Sequence, residues 1–256
     1  MYAFYCTTCF KLLNFGCIKA LCGEIGELCE IFQWTGPIVN PELIETKKII
    51  HIGEEVADVM LYSIRLSDLC GVDIAKSTLQ ILELNIPDCN NNRDWTYFCL
   101  DSAHKYVADY YGKTYSKVEV RMILFRVQHN IGLLSALFAK FDEARCRRLL
   151  EDWTYEEKLN LSEKLGMITV ELFGICNIFG LKISDCLLDK ISKNEKKYPA
   201  ELVMGSSAKY NEYHDLKRVL SSASSTESSK VFLPNAGKQV IVQLAVILSF
   251  YILRNA

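Results

Sequence analysis

Apolar residues recur with helical spacing through most of residues 10–200. The pattern predicts helices over 11–34, 41–71 and 74–85, then a helix that ends at 141, one over 155–179 and a short one that ends near 198. Glycine or proline lies at most of these predicted ends, because neither residue continues a helix easily. The polar stretch 88–94 contains three consecutive asparagines and predicts a linker between two groups of helices. The chain is therefore expected to be all-α.

The two groups of helices resemble each other. Three positions of the first group recur at the same spacing in the second: Gly26, Leu28 and Phe32 against Gly132, Leu134 and Phe138. The turn 71–74 likewise matches 180–183. We interpret this as two tandem copies of one helical unit that pack as a pseudo-dimer in a helical bundle. The alternative is a single long bundle with accidental similarities.

These patterns divide the chain into four parts. They are a first copy at 1–89, a second copy at 90–213, a Ser-rich linker at 214–238 and a hydrophobic segment at 239–254. Fifteen uncharged residues, 239–253, lie between Lys238 and Arg254. As a helix they would span about 22 Å, which is less than the hydrocarbon layer of a bilayer, roughly 30 Å thick. A C-terminal membrane anchor and a segment docked on the bundle both remain open.

Charge and cysteine content argue against a nucleic-acid-binding protein and against a secreted one. With 29 Lys and Arg against 31 Asp and Glu, the chain is not basic enough to suggest nucleic acid as its main ligand. Eleven cysteines without a recognisable secretory leader indicate reduced thiols and a cytosolic location. Cys6 and Cys9 form an isolated CxxC pair, for which buried or free thiols are favoured over a zinc or redox site.

Four carboxylates are the best candidates for chemistry: Glu27, Glu30, Glu55 and Asp58. Each pair has i,i+3 spacing, which places both acids on one side of their helix. Both segments are otherwise mostly apolar, and if the two helices pack antiparallel the four acids converge. Such a cluster would need a cation, and oxygen ligands favour a hard ion such as Mg²⁺. The alternative is a pair of surface helices that carry acids by chance.

The sequence around these acids resembles a known family. The runs GEIGELCEIFQW at 23–34 and EEVADVMLY at 54–62 look like the all-alpha NTP pyrophosphatases, the MazG-like superfamily, and most closely the dCTP pyrophosphatase type. The resemblance implies an all-α enzyme that hydrolyses a nucleoside triphosphate, most closely dCTP, to the monophosphate and pyrophosphate. It implies that the four acids bind Mg²⁺ and that Trp34, Tyr62 and Asn85 help to form the nucleotide pocket. It also implies a homo-oligomer or a pseudo-dimer within the chain.

The chain departs from the family pattern in both copies. The second copy carries Leu133, Ala136, Lys164 and Met167 where the first has its four acids, so no metal is expected there. The first copy lacks the Arg-Asp-Trp motif that the family carries before its glutamates, and an echo of that motif lies at 93–95. It also lacks the basic segment that the second copy keeps at 196–199, so one site could draw acids from one copy and lysines from the other.

The sequence leaves four points of function open. Glu24 or Glu54, if it is not itself a ligand, could orient the attacking water. Lys196, Lys197 or Lys209 could stabilise the departing pyrophosphate. A related enzyme that acts on dUTP or a modified nucleotide would fit the same acids. The alternative from another class is a catalytically decayed helical adaptor tethered to a membrane.

Overall fold

The computed structural model describes residues 7–36, 41–85, 100–114, 120–140 and 153–197. Apart from a short 3₁₀ turn at Pro41–Leu43, the regular elements in these ranges are α-helices. They are α1 (Thr7–Glu30), α2 (Thr46–Leu69), α3 (Ile74–Asn85), α4 (Leu100–Thr114), α5 (Val120–Ala139), α6 (Tyr155–Ile178) and α7 (Ile183–Lys197). The predicted all-α fold is thereby confirmed.

The chain divides into two compact units, Met1–Leu188 and Asp189–Ala256. The first unit holds α1 to α6 and the start of α7. In the second unit, the described residues are those that complete α7. The packing described below lies entirely within the first unit.

Helices α1 and α2 form a hairpin with an apolar seam. Leu21, Ile25 and Leu28 follow each other at three- or four-residue steps on α1 and are almost completely buried. Ile52 and Val56 occupy equivalent positions on α2 and are fully buried. Burial of an aliphatic side chain of this size contributes about 1.5–3 kcal/mol, so this seam can hold polar groups close to it.

Helix α6 is the central helix of the unit and packs against α2, α3, α4 and α5. Leu161, Leu165, Ile168 and Leu172 are fully buried along it. Its N-terminus is secured by a capping box, in which the Thr154 side chain accepts a hydrogen bond from the Glu157 amide and the Glu157 carboxylate accepts one from the Thr154 amide. The core of the unit is therefore arranged around α6.

Helix α3 crosses α6 at very short range. A side chain on Gly166 would place its Cβ 2.6 Å from the carbonyl oxygen of Ser77. Beside this contact, the hydroxyl groups of Ser77 and Ser162 share a hydrogen bond of 2.6 Å. The absence of a side chain at Gly166 therefore sets how closely the first half of the chain approaches the second.

Helices α2 and α6 end in the same way. Each has 24 residues and is followed by a glycine with a left-handed backbone, Gly71 with φ 59° and Gly180 with φ 63°. The amide of Val72 donates to the Ser67 carbonyl, and that of Leu181 donates to the Cys176 carbonyl, as in a Schellman motif. The next helix begins shortly afterwards in both cases. An internal duplication would produce this match, but the duplication itself stays a prediction.

Three differences from the expected elements have local causes. Helix α1 ends at Glu30 and not at residue 34, because 31–34 form tight turns in which the Thr35 hydroxyl donates to the Phe32 carbonyl. Helix α2 begins at Thr46, after the separate 3₁₀ turn. Helix α4 was not predicted. Only two of its described apolar residues, Ala103 and Val107, are completely buried, so its sequence shows little helical periodicity of apolar residues.

Several expectations lie outside the described residues. These are the linker at 88–94, the motif echo at 93–95, the side chains of Cys6 and Cys9, the linker at 214–238 and the segment at 239–254. The described cysteines are free thiols, in agreement with the expected reduced state. Burial raises the pKa of the Cys17 thiol to about 11, as expected for a core residue with little reactivity.

One described helix, Val120–Ala139, is long and apolar enough to cross a membrane, and the bent pair α6 and α7 passes the same test together. Nearly half of the apolar stretch in Val120–Ala139 is buried against other helices. A core helix of a bundle has the same length and composition, so this is weak evidence for a membrane span.

The crossing of α3 and α6 predicts a steric effect. Gly166→Ala should lower the free energy of unfolding by about 1–3 kcal/mol, because the new methyl group would collide with the Ser77 backbone. Gly132→Ala is the matched control. It has no atom within 4 Å of the added Cβ and should raise the free energy of unfolding by about 0.5–1 kcal/mol. Urea unfolding measures both values, and equal midpoints would contradict the close crossing.

A buried histidine predicts a dependence of stability on pH. His104 stacks on Phe173 with a centroid distance of 5.4 Å, and burial lowers its pKa although Asn177 and Asp101 oppose this shift. The unfolded chain, with a histidine pKa near 6.5, then binds the proton more readily than the folded one. Wild-type stability should fall as the pH drops below about 6.5. The difference in free energy of unfolding between wild type and His104→Gln should therefore change across this range, and a constant difference would contradict the assignment.

Candidate metal centre and adjoining cleft

The second predicted acidic pair lies on α2, among residues of the core. Glu55 is buried and only 5% exposed, and Asp58 is half-buried. Val56 and Val59, between them in sequence, are completely buried. The helix is thus fixed by its apolar side chains, and the two carboxylates are held beside the seam with α1.

A third carboxylate from α1 completes a cluster, here called the acidic trio: Glu24, Glu55 and Asp58. One carboxylate oxygen of each residue lies within 4.8 Å of the others. Like charges this close repel each other strongly where water is partly excluded. Helices α1 and α2 pack against each other and bring acids of both helices together, with Glu24 as the α1 contribution. The expected convergence of Glu27 and Glu30 with the α2 acids stays a prediction.

Glu27 and Glu30 lie further along α1 and are exposed. Each step of three residues falls about 60° short of a full helical turn, so three glutamates in series cannot point at one place. Glu24, Glu27 and Glu30 have the same spacing, which offers two overlapping pairs. The sequence therefore did not show which pair meets α2, although Glu24 was named there as a group that could orient water.

Glu27 and Glu30 line an open cleft of about 580 Å³ next to the trio. The cleft lies between the end of α1 and the start of α2, and is lined by Glu27, Glu30, Ile31, Glu45, Lys47, Lys48 and His51. His51 connects the two features, because its Nδ1 lies 3.5 Å from Oε1 of Glu55. The cleft thus combines carboxylates and ammonium groups beside the buried acid.

The donor set of the trio fits a hard divalent cation. Mg²⁺ binds oxygen at about 2.0–2.1 Å and Ca²⁺ at about 2.3–2.6 Å, so ligand oxygens on opposite sides of one ion are about 4–5 Å apart. The oxygens of Glu24, Glu55 and Asp58 lie within 4.8 Å of one another, which is close enough for all three to bind one ion. A cation at this position would also offset their mutual repulsion.

The three residues expected in the nucleotide pocket differ in their position relative to the trio. Trp34 is 89% exposed and does not line the cleft. Tyr62 is half-buried on α2, four residues after Asp58, which places it on the same side of the helix. Asn85 is the last residue of α3, and its side chain lies outside the described set. The structure thus places Tyr62 near the trio by helical register, whereas Trp34 lies on an open surface.

The positions that were matched to the acids in the second copy carry no such cluster. Lys164 pairs with Glu163 at 2.9 Å, and Met167 is half-buried. Leu133 and Ala136 are exposed on α5. No second trio of His, Cys, Asp or Glu side chains with this spacing occurs within the ranges that the structure describes.

Helices α5 and α6 are joined instead by an ion pair between the half-buried Arg126 and the buried Glu171. Arg126 Nε donates to one carboxylate oxygen of Glu171 at 2.6 Å, and Nη2 donates to the other at 2.9 Å. Burial raises the pKa of Glu171, and the guanidinium opposes this shift. The bidentate geometry matches the planar fork of arginine, so this hairpin carries its own fixed cation.

Comparison with known proteins shows a partial match to one enzyme. The chain is similar to dCTP pyrophosphatase 1 from Rattus norvegicus (33% identity over 69 residues) and from Homo sapiens (36% over 69), which is 27% of this chain and 41% of each relative. The match to the protein from Bos taurus is 31% over 98 residues, or 38% of this chain and 55% of the relative. The chain thus spans about two fifths to one half of the length of these curated relatives. No family model and no solved structure matches the chain.

These matches confirm the relationship that the motifs indicated. The chain is related to dCTP pyrophosphatase 1 over the matched stretch. An acidic cluster is present in the described residues, made of Glu24, Glu55 and Asp58. The role of the expected pair Glu27 and Glu30 stays a prediction.

The trio predicts metal binding that can be measured without any substrate. Glu55→Gln should weaken Mg²⁺ or Mn²⁺ binding by about 100-fold or more, since it removes the buried carboxylate of the set. Without metal, its free energy of unfolding should hold or rise, because repulsion within the trio is relieved. Calorimetric titration measures the affinity. Glu163→Gln, at an exposed acid on α6, is the control. It should leave the metal affinity unchanged and should lower the free energy of unfolding by no more than about 1 kcal/mol, since it removes only the ion pair with Lys164. An unchanged affinity in Glu55→Gln would contradict the metal site.

Proposed function

We propose that this chain is a metal-dependent nucleoside triphosphate pyrophosphatase that uses Mg²⁺ and acts most readily on dCTP. The observation that carries the proposal is the acidic trio beside an open cleft, in a chain related to dCTP pyrophosphatase 1. The reaction breaks the bond between the α-phosphorus and the oxygen that bridges to the β-phosphorus. Water attacks the α-phosphorus, and the products are the nucleoside monophosphate and pyrophosphate.

In this proposal the acids divide into two groups. Glu55 and Asp58 from α2 and Glu24 from α1 hold the first Mg²⁺, which would polarise the phosphoryl oxygens and lower the pKa of bound water. Glu27 and Glu30 extend the carboxylate surface into the cleft, where they would hold a second ion or accept the proton of the attacking water. All four acids that the sequence singled out thus keep a role, and Glu24 is added to them.

The nucleoside is proposed to lie beside Tyr62, Trp34 and Asn85. Tyr62 is on the same side of α2 as the trio, and its phenol can contact the sugar or base. The Trp34 ring is open to solvent and offers a face on which a base can stack. The preference for cytosine follows only from the names of the relatives.

The second helical hairpin is proposed to act as a scaffold. Its α6 packs against α2 and α3, and its own acidic positions are replaced. In this proposal it supplies the packing partner that a second copy would supply in an oligomer. The cytosolic location and the further association of whole chains stay predictions.

The test is pyrophosphate release from a panel of ribo- and deoxynucleoside triphosphates with Mg²⁺. Release of dCMP and pyrophosphate from dCTP, without dCDP, is the expected result, and Glu55→Gln should lower kcat/KM by about 100-fold or more. Lys164→Gln, at the matched position in the second copy, should retain wild-type turnover.

Failure to release pyrophosphate from any nucleotide would contradict the proposal and favour a non-catalytic helical adaptor. Release from dUTP or a modified nucleotide in preference to dCTP would keep the reaction and correct the substrate.

A further inference from the structure

We propose that Lys47 and Lys48 bind the β- and γ-phosphates of the substrate in the cleft, and so take the role for which lysines of the second copy had been considered. This inference rests on the proposed function and deepens it. The cleft is lined by both lysines together with His51, which contacts Glu55 of the trio. One continuous surface therefore leads from the carboxylates to the two ammonium groups.

The register of α2 places these groups in a row. Lys48, His51, Glu55 and Asp58 follow each other at steps of three, four and three residues, so they share one side of the helix. The rise from Lys48 to Glu55 is about 10 Å along the axis. A triphosphate whose α-phosphate lies at the trio can cover this distance together with an extended lysine side chain.

The position of the lysines is unfavourable for the helix itself. Both lie in the first turn of α2, where the partial positive charge of the helix dipole disfavours cations. This turn has no acidic residue and no side-chain cap, whereas α6 begins with a capping box and two glutamates. Lys47 and Lys48 weaken the start of the helix, and both line a cleft beside the candidate metal ligands. Residues that oppose local stability in this way are expected at a functional site.

The charges of the cleft also determine what it can bind. Neither Lys47 nor Lys48 takes part in the ion pairs of the described residues. Glu27, Glu30 and Glu45 line the same cleft and would repel a free anion. A polyphosphate complexed with a divalent metal brings cations to the carboxylates and oxygens to the lysines. The cleft therefore fits a metal–polyphosphate complex better than a free phosphate.

The experiment compares three double variants in the full chain. Lys47→Gln/Lys48→Gln removes both charges, Lys47→Arg/Lys48→Arg keeps them, and Lys19→Gln/Lys105→Gln is a control at exposed lysines outside the cleft. For dCTP hydrolysis with Mg²⁺, the first variant should raise KM by about 10- to 100-fold with a smaller change in kcat. The arginine variant and the control should remain within about threefold of wild type.

Binding of pyrophosphate and of dCMP distinguishes a role of the two lysines in phosphate binding from a role beside the nucleoside. Calorimetry with inorganic pyrophosphate and Mn²⁺ should show the same 10- to 100-fold loss, about 1.4–2.8 kcal/mol, in Lys47→Gln/Lys48→Gln. The affinity for dCMP with Mn²⁺ should be unchanged, because that ligand lacks the β- and γ-phosphates. Pyrophosphate should bind wild type only when the metal is present.

The outcomes distinguish this inference from the proposed function. Wild-type hydrolysis with an unchanged KM in the glutamine variant would overturn the lysine site and leave the enzyme in place. Lysine-dependent pyrophosphate binding without hydrolysis of any nucleotide would support the lysine site and overturn the enzyme. An equal loss of dCMP affinity would place the lysines beside the nucleoside and overturn the inference, as would the absence of pyrophosphate binding to wild type.

Discussion

The repulsion among three carboxylates at the α1–α2 seam is the constraint on which the rest of the structure depends. Glu24, Glu55 and Asp58 bring oxygens within 4.8 Å of each other, and Glu55 is buried. A surface pair of helices could separate to relieve this repulsion. Here the apolar seam, with fully buried Ile52 and Val56, opposes that separation, and α6 holds α2 from the other side. Packing energy is therefore used to keep charges together at a place where a cation is favoured.

The hairpin of α5 and α6 compensates its buried acid in a different way. In place of a carboxylate cluster, Arg126 and Glu171 form a bidentate pair across α5 and α6. Removing Arg126 would be costly, because it leaves the buried carboxylate of Glu171 without its counter-charge. This hairpin thus satisfies its buried acid with its own guanidinium.

The sequence predicted the helices best where backbone chemistry marks their ends. Helix α3 was expected at 74–85 and is found there, because Gly71 provides the left-handed residue that ends α2. The end of α1 was placed four residues too late, since side-chain periodicity continues through turns that the Thr35 hydroxyl stabilises. In the site, spacing and the family resemblance together predicted Glu55 and Asp58 on α2, and both belong to the trio. Their α1 partner could not be identified in this way, because three glutamates at equal spacing leave the rotation of the helix undetermined until packing fixes it.

The N-termini of α2 and α6 differ in how well their residues stabilise the helix. The two helices have equal length, and each is followed by a glycine with a left-handed backbone. Their C-termini are therefore stabilised in the same way. Helix α6 begins with Thr154 and Glu157, which satisfy its amides and complement its dipole. Helix α2 has two lysines in its first turn, which opposes its dipole, and its N-cap residue Glu45 makes no side-chain cap hydrogen bond. Tertiary packing stabilises α2 despite this start, so its first turn can carry the two lysines for which we propose a role in binding a polyphosphate.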